Sequence, residues 1–393
     1  MGRLGLLIGF FWLLIGISLR GQDTLVIWSD TLEANWLLRP QSHPMIRADT
    51  TGVYLAATFM DTLLTTFDPP TRSKGMYDAV LLKYDALGKI AWRHLIQNTD
   101  DLITGHLKRF PSGELILVGY CEDSCQIAGI RSWERGVFAL GFSGQGQLQY
   151  LTERSLRDHV FPDLDPQHNL YLAQSYIDSI RLDPEHLYVD KSKYRNSLLA
   201  VFTAKNQLRW CHLLDTIPDF YRTGGLYAHG VAVDERGRVF VAGYFEDAPF
   251  LHKDHLRGFY ARDLFLAAYS PQGKHLWTSQ LSASPRDFFL YSMYYRYDMG
   301  RLIIETRSRE RDSGMPDLHH RFSVSPSGAD VVQDLFELTP EQQNMPADAV
   351  HDLIPLPDGS FYQLDLRSDR RLVISRLHIH FTEKIVSKAS GNP

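Results

Sequence analysis

Cysteine is scarce in this chain, with 3 among 393 residues, which excludes a small scaffold held together by many disulfides. An excess of one charge is lacking as well, because 41 basic residues stand against 46 acidic ones. The resulting net charge of -5 offers no basic surface of the kind that nucleic-acid-binding proteins use. Long stretches of i, i+3, i+4 apolar spacing are absent beyond residue 21, which argues against helices. We therefore expect a globular β protein that binds no nucleic acid.

Only one long apolar run is present, Leu4–Leu19, and it follows the single positive charge of Arg3. As a helix this run would extend about 24 Å, which is short of the roughly 30 Å hydrocarbon core of a bilayer. The run therefore favours a signal peptide over residues 1–21, with a retained anchor as the alternative. We expect one domain over 22–381 and a tail over 382–393, secreted, periplasmic or at the cell surface. After signal cleavage we expect a monomer without membrane attachment.

Two of the cysteines, Cys121 and Cys125, lie four residues apart in the segment GYCEDSCQIAG. In an oxidising compartment they can close a small loop as a disulfide. Two free thiols and a metal site are the alternatives, but no second cluster of cysteine or histidine accompanies the pair. Cys211 follows Trp210 in an apolar stretch and is expected to be a buried free thiol.

A segment of strand, turn, strand and closing aromatic residue recurs along the chain. Its copies are DAVLLKYDALGKIAW (78–92), GVFALGFSGQGQLQY (136–150), NSLLAVFTAKNQLRW (196–210), DLFLAAYSPQGKHLW (263–277) and the degenerate LHHRFSVSPSGADVV (318–332). A second hairpin segment alternates with the first. The turn residues of this second segment are Gly52, Gly113, Asn169, Gly237, Gly300 and Gly359. Glycine and asparagine tolerate the positive φ that tight hairpin turns require.

Two hairpins in about 60 residues make four strands, which is the size of one propeller blade. A single such sheet cannot bury both of its apolar faces, whereas a ring of sheets can. We predict an all-β fold, a β-propeller of six four-stranded blades, with units starting near residues 24, 78, 136, 196, 263 and 317. The tail RRLVISRLHIHF (370–381) is expected to pair with LVIW (25–28) and close the ring. Seven blades are the alternative, if this tail belongs to a separate blade.

The segments VFVAGYFEDAPF (239–250) and YLAATFMDTLLTTF (54–67), each followed by a copy of the first hairpin, resemble the SBBP-type β-propeller repeats of secreted bacterial proteins. The resemblance covers roughly residues 45–365. It implies a propeller fold, secretion from a Bacteroidetes-like bacterium and an interaction role. It implies no catalytic residues.

Histidine recurs shortly before the turn of the second hairpin in five of the six units. The positions are His43, His106, His159, His229 and His351, and the fifth unit has Tyr291 instead. The strand that follows the crossing between blades is usually the innermost, so these side chains are predicted to lie at the mouth of the central channel. There they would bind an anionic ligand or a metal. The alternatives are a structural hydrogen-bonding role within each blade and coincidence.

No nucleophile elbow, P-loop, dinucleotide fingerprint, zinc-protease motif or calcium loop is present in the sequence. Asp163 and Asp165 are predicted to cap turns rather than to bind calcium. We therefore expect a non-enzymatic binding module for a protein or glycan ligand, without a cofactor or metal. The alternative is a glycan hydrolase or lyase whose site lies at the channel mouth. Residues distant in sequence, such as Asp158, His159, His351 and Asp352, would then have to meet there.

Overall fold

The computed structural model describes residues 23–36, 44–65, 69–98, 100–127, 131–133, 135–154, 162–176, 179–182, 185–189, 196–214, 225–246, 250–251, 254–256, 262–282, 286–296, 299–310, 318–337, 352–356, 358, 360–366 and 371–380. All helix or strand structure in these ranges is β-strand. Among them, nothing is helical, long and apolar enough to cross a membrane. The predicted signal peptide and the tail over 382–393 lie outside the described residues.

In chain order, the strands of these ranges are β1 (Asp23–Trp36), β2 (Met45–Asp49), β3 (Gly52–Leu64), β4 (Thr71–Arg72), β5 (Asp78–Asp85), β6 (Ile90–Asn98), β7 (Leu102–Arg109), β8 (Leu115–Cys121), β9 (Cys125–Ile127), β10 (Arg131–Trp133), β11 (Gly136–Phe142), β12 (Leu148–Arg154), β13 (Asp163–Leu164), β14 (Leu170–Tyr176), β15 (Ser179–Arg181), β16 (Leu187–Val189), β17 (Asn196–Phe202), β18 (Leu208–Leu213), β19 (Leu226–Val233), β20 (Val239–Phe245), β21 (Phe250–Leu251), β22 (Asp254–His255), β23 (Asp263–Tyr269), β24 (His275–Gln280), β25 (Arg286–Arg296), β26 (Arg301–Glu310), β27 (Leu318–Val324), β28 (Val331–Glu337), β29 (Asp352–Pro355), β30 (Ser360–Leu366) and β31 (Arg371–His380).

Four of the antiparallel sheets contain four strands each, paired in chain order. They are sheet II (β7–β8–β11–β12), sheet III (β13–β14–β17–β18), sheet IV (β19–β20–β23–β24) and sheet V (β25–β26–β27–β28). A larger sheet of 11 strands holds two further groups with the same pairing. We call them sheet I (β2–β3–β5–β6) and the closing group (β29–β30–β31–β1).

Each sheet joins a hairpin of the second repeated segment to the first-segment hairpin that follows it in the chain. Sheet II, for example, starts at Leu102 and pairs β8 with β11 from Gly136↔Cys121 to Phe142↔Leu115. The sheets are therefore displaced by one hairpin from the units predicted from the sequence, which start near residue 136 for this copy. The repeat shows that two hairpins alternate, but only the pairing between hairpins shows which two share a sheet.

Most of the predicted turn residues adopt the left-handed backbone that a tight turn needs. Asn206 has φ 63°, and the turn glycines of both segments have positive φ wherever the structure describes them. The turn of sheet III differs, because His168 and not Asn169 takes φ 61°. Asp165 fixes that turn by accepting the backbone N–H groups of Gln167 and Asn169, both at 2.9 Å.

The central strands of sheets I to IV are apolar on both faces because each of these sheets is packed between two neighbours. In β5, Leu82 belongs to a core cluster shared with Ile374 of the closing group, whereas the adjacent Leu81 belongs to a cluster shared with Leu117 of sheet II. Three more clusters join sheets II and III, III and IV, and IV and V in chain order. Successive strand residues point to opposite faces, so one strand supplies two cores.

The N-terminal strand β1 forms the outer strand of the closing group. It pairs with β31 from Asp23↔His380 to Glu33↔Arg371, which confirms the predicted pairing of LVIW with the C-terminal tail. The indole N–H of Trp28 donates to the carbonyl oxygen of Ala86 in sheet I at 3.1 Å. Trp92 and Trp210 make the same contact to the next sheet, so Trp28 is a further copy of the closing aromatic.

The inner strands approach one another at the centre. The guanidinium of Arg47 in sheet I lies 4.7 Å from the ring centroid of Tyr294 in sheet V, and Lys108 of sheet II donates to the carbonyl oxygen of Val233 in sheet IV. Sheets packed face to face in chain order, with inner strands that converge, form a β-propeller-like arrangement.

Candidate functional site

The predicted histidine ring is described at three of its six positions. His43, His159 and His351 lie outside the described residues, while His106, His229 and Tyr291 lie on the inner strands β7, β19 and β25. Each of these strands contains a bulge. The grouping of these six residues into one ligand site stays a prediction.

The bulges show that the repeated residues are not equivalent. The extra residue, which the register of the ladder skips, is Gly105 in β7, His229 in β19 and Tyr291 in β25. His229 and Tyr291 therefore share a position, whereas His106 stands one residue further along and pairs with Val118. The ring of His229 is half-buried and stacks on Tyr244 at 4.9 Å between centroids. A single-residue difference in the offset to the turn thus changes the environment of the imidazole.

His106 belongs to a buried cluster of charges at the centre of the molecule. The ammonium group of Lys108 lies 2.9 and 2.7 Å from the two carboxylate oxygens of Asp163, and His106 Nε2 lies 3.3 Å from Oδ1. The carboxylate also accepts the backbone N–H groups of Leu164 at 2.7 Å and Val233 at 2.8 Å. All three charged or titratable side chains are buried. The prediction that Asp163 caps a turn is therefore wrong, although Asp165 does cap one.

Electrostatics make this cluster a structural unit. Burial alone would raise the pKa of Asp163, but the charge of Lys108 and the hydrogen bond from His106 hold it at about 2. Burial lowers the pKa of Lys108, and the neighbouring Asp163 offsets part of that change. The cluster joins inner strands of sheets II, III and IV and fills the space between them. It therefore stabilises the convergence of the strands and is not open to a ligand.

An accessible cleft of about 810 Å³ lies between sheets I and II, at the end of the sheets where the hairpin turns lie. Its lining is Asp49, Thr51, Tyr54, Lys83, Ala91, Trp92, Arg109, Ser112, Gly113, Glu114, Ser143, Gly144, Gln145 and Gln149. The turns β2–β3, β7–β8 and β11–β12 supply its polar rim, β3 and β6 supply its aromatic wall, and β5 supplies Lys83. A cleft of this volume accommodates a small-molecule ligand or a few sugar units.

An ion pair fixes one side of the cleft. Asp49 Oδ2 accepts a hydrogen bond from the hydroxyl of Tyr54 at 3.1 Å and lies 2.9 Å from a terminal nitrogen of Arg109. Burial raises the pKa of Asp49, but the hydrogen bonds from Thr51 and the charge of Arg109 outweigh it, so the pKa is lowered. The carboxylate is therefore ionised at neutral pH. Arg109 Nε is buried without a hydrogen-bond partner within the described structure.

The rest of the lining mixes carboxylate, amide and aromatic groups. Glu114 Oε2 lies 3.2 Å from Nε2 of His168, which in turn stacks on Tyr150 at 4.0 Å between centroids. Gln145 and Gln149 are exposed at the rim. The six-membered ring of Tyr54 and the indole of Trp92 lie 6.0 Å apart, tilted by 50°. Aromatic faces beside amides and carboxylates are the groups that sugar hydroxyls and C–H faces contact.

Sequence reasoning did not identify this cleft. Its members come from six separate elements of two sheets, and none forms a linear motif. One signal was present: Lys83 interrupts the buried apolar strand DAVLLKYD, where the other copies of the segment have Gly141, Val201, Ala268 or Ser323. A charged residue inside a buried strand requires a compensating environment or a function.

Cys121 and Cys125 form a disulfide, which was the first of the three alternatives for this pair. Cys211 is a free, half-buried thiol whose pKa burial raises to about 11. Across the described ranges, no group of three histidine, cysteine or acidic side chains is placed to hold a metal ion.

No protein-family model and no curated protein matches the chain. Several solved structures are similar over most of its length. A member of the duf4221 family from Bacteroides vulgatus is 9% identical, with 92% of this chain and 99% of that chain covered and a TM-score of 0.38. The alpha-L-arabinanase of Penicillium chrysogenum, solved with arabinobiose, is 12% identical, with 90% and 98% covered and a TM-score of 0.42. The polysaccharide lyase Uly1 is 10% identical, with 92% and 99% covered and a TM-score of 0.40.

Proposed function

We propose that this chain is a secreted, non-enzymatic β-propeller module that binds a saccharide in the cleft between sheets I and II. The observation that carries the proposal is the cleft itself, with an aromatic wall formed by Tyr54 and Trp92 beside a rim of carboxylate, amide and guanidinium groups. Secretion is supported by the apolar run Leu4–Leu19. The SBBP-like repeats support a bacterial interaction role.

The propeller that we propose has six blades, which are sheets I to V and the closing group. Each contains four strands in the same order, and the closing group takes its outer strand from the N-terminus. The pairing of β31 with β1 supports this count, because it lets the C-terminal tail complete a blade rather than start a seventh. Pairing strands from the two ends of the chain secures a ring against opening at its edge.

The carboxylates of the cleft favour binding over catalysis. A glycosidase needs one carboxylic acid that stays protonated near neutral pH, with a raised pKa. Asp49 has a lowered pKa and is tied to Arg109 and Thr51, so it cannot donate a proton in that role. Glu114 is engaged by His168 at 3.2 Å. Both groups are placed as hydrogen-bond acceptors for sugar hydroxyls.

The proposal is tested on a glycan array with the protein from residue 22 onward. Gln149→Trp places a bulky ring at the exposed rim of the cleft and is expected to abolish binding of the glycans that the wild type retains. Leu276→Trp is the matched control, because Leu276 is exposed and directly precedes the closing aromatic of sheet IV, as Gln149 does in sheet II. If no glycan binds, or if Gln149→Trp binds as the wild type does, the saccharide proposal is wrong and a protein ligand takes its place.

The alternative enzyme hypothesis, a hydrolase or lyase at the channel mouth, gains no support from the described part of the site. His106 and Asp163 are within reach of each other, as that hypothesis requires, but both are buried and Lys108 neutralises the carboxylate. Its other candidates Asp158, His159 and His351 lie outside the described residues, and Asp352 begins β29. A general acid–base pair must reach the bond that it cleaves.

A further inference from the structure

Lys83 occupies the floor of the proposed saccharide cleft with its charge incompletely compensated. Its ammonium group donates to the carbonyl oxygen of Gly144 at 3.0 Å and lies 4.9 Å from the ring centroid of Tyr54. Trp92 donates to the same carbonyl oxygen at 3.2 Å. Within the part of the chain that the structure describes, no carboxylate lies at ion-pair distance from this ammonium group, although the residue is only 8% exposed.

The closing group contains the same arrangement of four groups. Arg376 is paired in register with Tyr362 and with Trp28, as Lys83 is with Tyr54 and Trp92. The guanidinium donates to the carbonyl oxygen of Ala86 at 3.0 Å, where Trp28 also donates. It lies 5.8 Å from the ring centroid of Tyr362. The chain thus contains two copies of one cation site.

The two copies differ in one respect, the carboxylate. In the closing group, the charge of Arg376 is neutralised by Asp358, in the turn between β29 and β30, at 2.6 Å. Asp49 of sheet I makes the same local hydrogen bonds, since it accepts the N–H and hydroxyl of Thr51 as Asp358 accepts those of Ser360, but it lies five residues before Tyr54 where Asp358 lies four before Tyr362. Asp49, however, pairs with Arg109 of sheet II instead. Lys83 therefore lacks the internal anion that its counterpart has.

The fold does not require a cation at this position. In sheets II, III and IV the residues in register with the closing aromatic are Gly141, Val201 and Ala268. A nearly buried ammonium group without an anion costs stability, so its presence on the floor of an open cleft needs another explanation.

We propose that Lys83 binds an anionic substituent of the ligand, so that the cleft selects acidic over neutral saccharides. This inference rests on the proposed function. The ligand's carboxylate or sulfate takes the place that Asp358 occupies beside Arg376. Hydrogen bonds between charged groups in a partly buried site are strong enough to decide such a preference.

The test uses an array of neutral, uronate-containing and sulfated oligosaccharides, followed by titration of the glycans whose binding Gln149→Trp abolishes. Those glycans are expected to be anionic. Lys83→Gln is expected to lower the affinity of the protein for them on the order of tenfold. Lys83→Arg keeps the charge and is expected to keep the preference. Arg376→Gln removes the neutralised counterpart and is expected to leave binding unchanged. Circular dichroism and melting temperatures establish that each variant is folded.

The outcomes separate the two proposals. Cleft-dependent binding of neutral glycans, or equal affinity in Lys83→Gln and the wild type, overturns this inference and leaves saccharide binding intact. If Lys83→Gln does not fold, two other measurements test the inference. Lys83→Arg must keep the preference for anionic glycans, and the affinity of the wild type for them must fall as salt rises, because a contact between opposite charges weakens with salt. Uronate and sulfate probes show which anion the site accepts. Absence of any bound glycan overturns the proposed function and this inference together.

Discussion

Replacing Asp163 by asparagine is expected to destabilise the protein strongly, because the substitution leaves Lys108 charged and buried without its counterion. Both oxygens of the carboxylate contact this ammonium group, at 2.7 and 2.9 Å. The carbonyl oxygens of Leu164 and Val233, at 2.8 and 3.2 Å, cannot neutralise the charge. Breaking a buried pair in this way costs about 3–5 kcal/mol of the free energy of unfolding.

The lowered pKa of Asp163 points in the same direction. A fall from 3.8 to about 2 corresponds to about 2 kcal/mol in favour of the folded state with the carboxylate ionised. Because the folded-state pKa lies below the unfolded value, this stabilisation is complete above about pH 4 and disappears as the pH falls towards 2. Asparagine removes this stabilisation at every pH. The difference in the free energy of unfolding between the wild type and the variant should therefore become smaller in acid.

Urea unfolding at pH 7 measures the effect. A loss of 3 kcal/mol or more lowers the midpoint by about 1 M or more, since typical urea m-values are about 1–3 kcal/mol/M. Asp165→Asn is the control for burial, because Asp165 is equally buried but within the described residues accepts hydrogen bonds only from neutral donors, those of Gln167, Asn169 and Tyr171, so its replacement should cost less. In the double variant with Lys108→Met, part of the loss should return. If the losses of stability in the two single variants simply add in the double variant, the two side chains do not act as a pair.

Two further predictions concern ring closure and the disulfide. Gly88 has φ 82°, and a Cβ atom there would lie 2.6 Å from the indole of Trp28, whereas one at Gly300, with φ 61°, would meet nothing nearer than 3.8 Å. Gly88→Ala should therefore lower the melting temperature more than Gly300→Ala, and equal shifts would show that the contact of Trp28 with sheet I is unimportant. The disulfide Cys121–Cys125 closes a short loop, so replacing both cysteines by alanine, which adds no polar group to their apolar surroundings, should cost about 2 kcal/mol or less in thermal or urea unfolding. A larger loss would mean that the loop also holds β9 against β6.

The fold could be predicted because the signals that specify it are local and repeated. Turn residues such as Gly146 and Asn206 fix the hairpins, and the positive φ at both positions confirms their use. The pairing of the tail with LVIW could be anticipated because a ring of blades needs a strand from each end of the chain. The displacement of the sheets by one hairpin could not, since either grouping of hairpins satisfies the same pattern of apolar residues.

The sites were less predictable because they arise from contacts between sheets. His106 and His229 seemed equivalent from their distance to the turn, but a one-residue difference at the bulge separates them. Asp163 seemed to be a turn residue, and only the approach of Lys108 from another sheet shows its role. The cleft likewise depends on turns more than 50 residues apart in sequence, such as those of Asp49 and Ser143.

In a repeat protein the positions that depart from the repeat show what the common fold does not need. Lys108 and Lys83 are both cations in strands whose counterparts are mostly apolar, and both are nearly buried. The first is satisfied inside the protein by Asp163, so its desolvation is offset within the fold and it needs no ligand. The second lines a cleft and has no such partner within the described structure. By this difference we assign Lys108 to the architecture and, in our proposal, Lys83 to recognition. Arg376 has the same surroundings as Lys83, but Asp358 neutralises its charge within the protein.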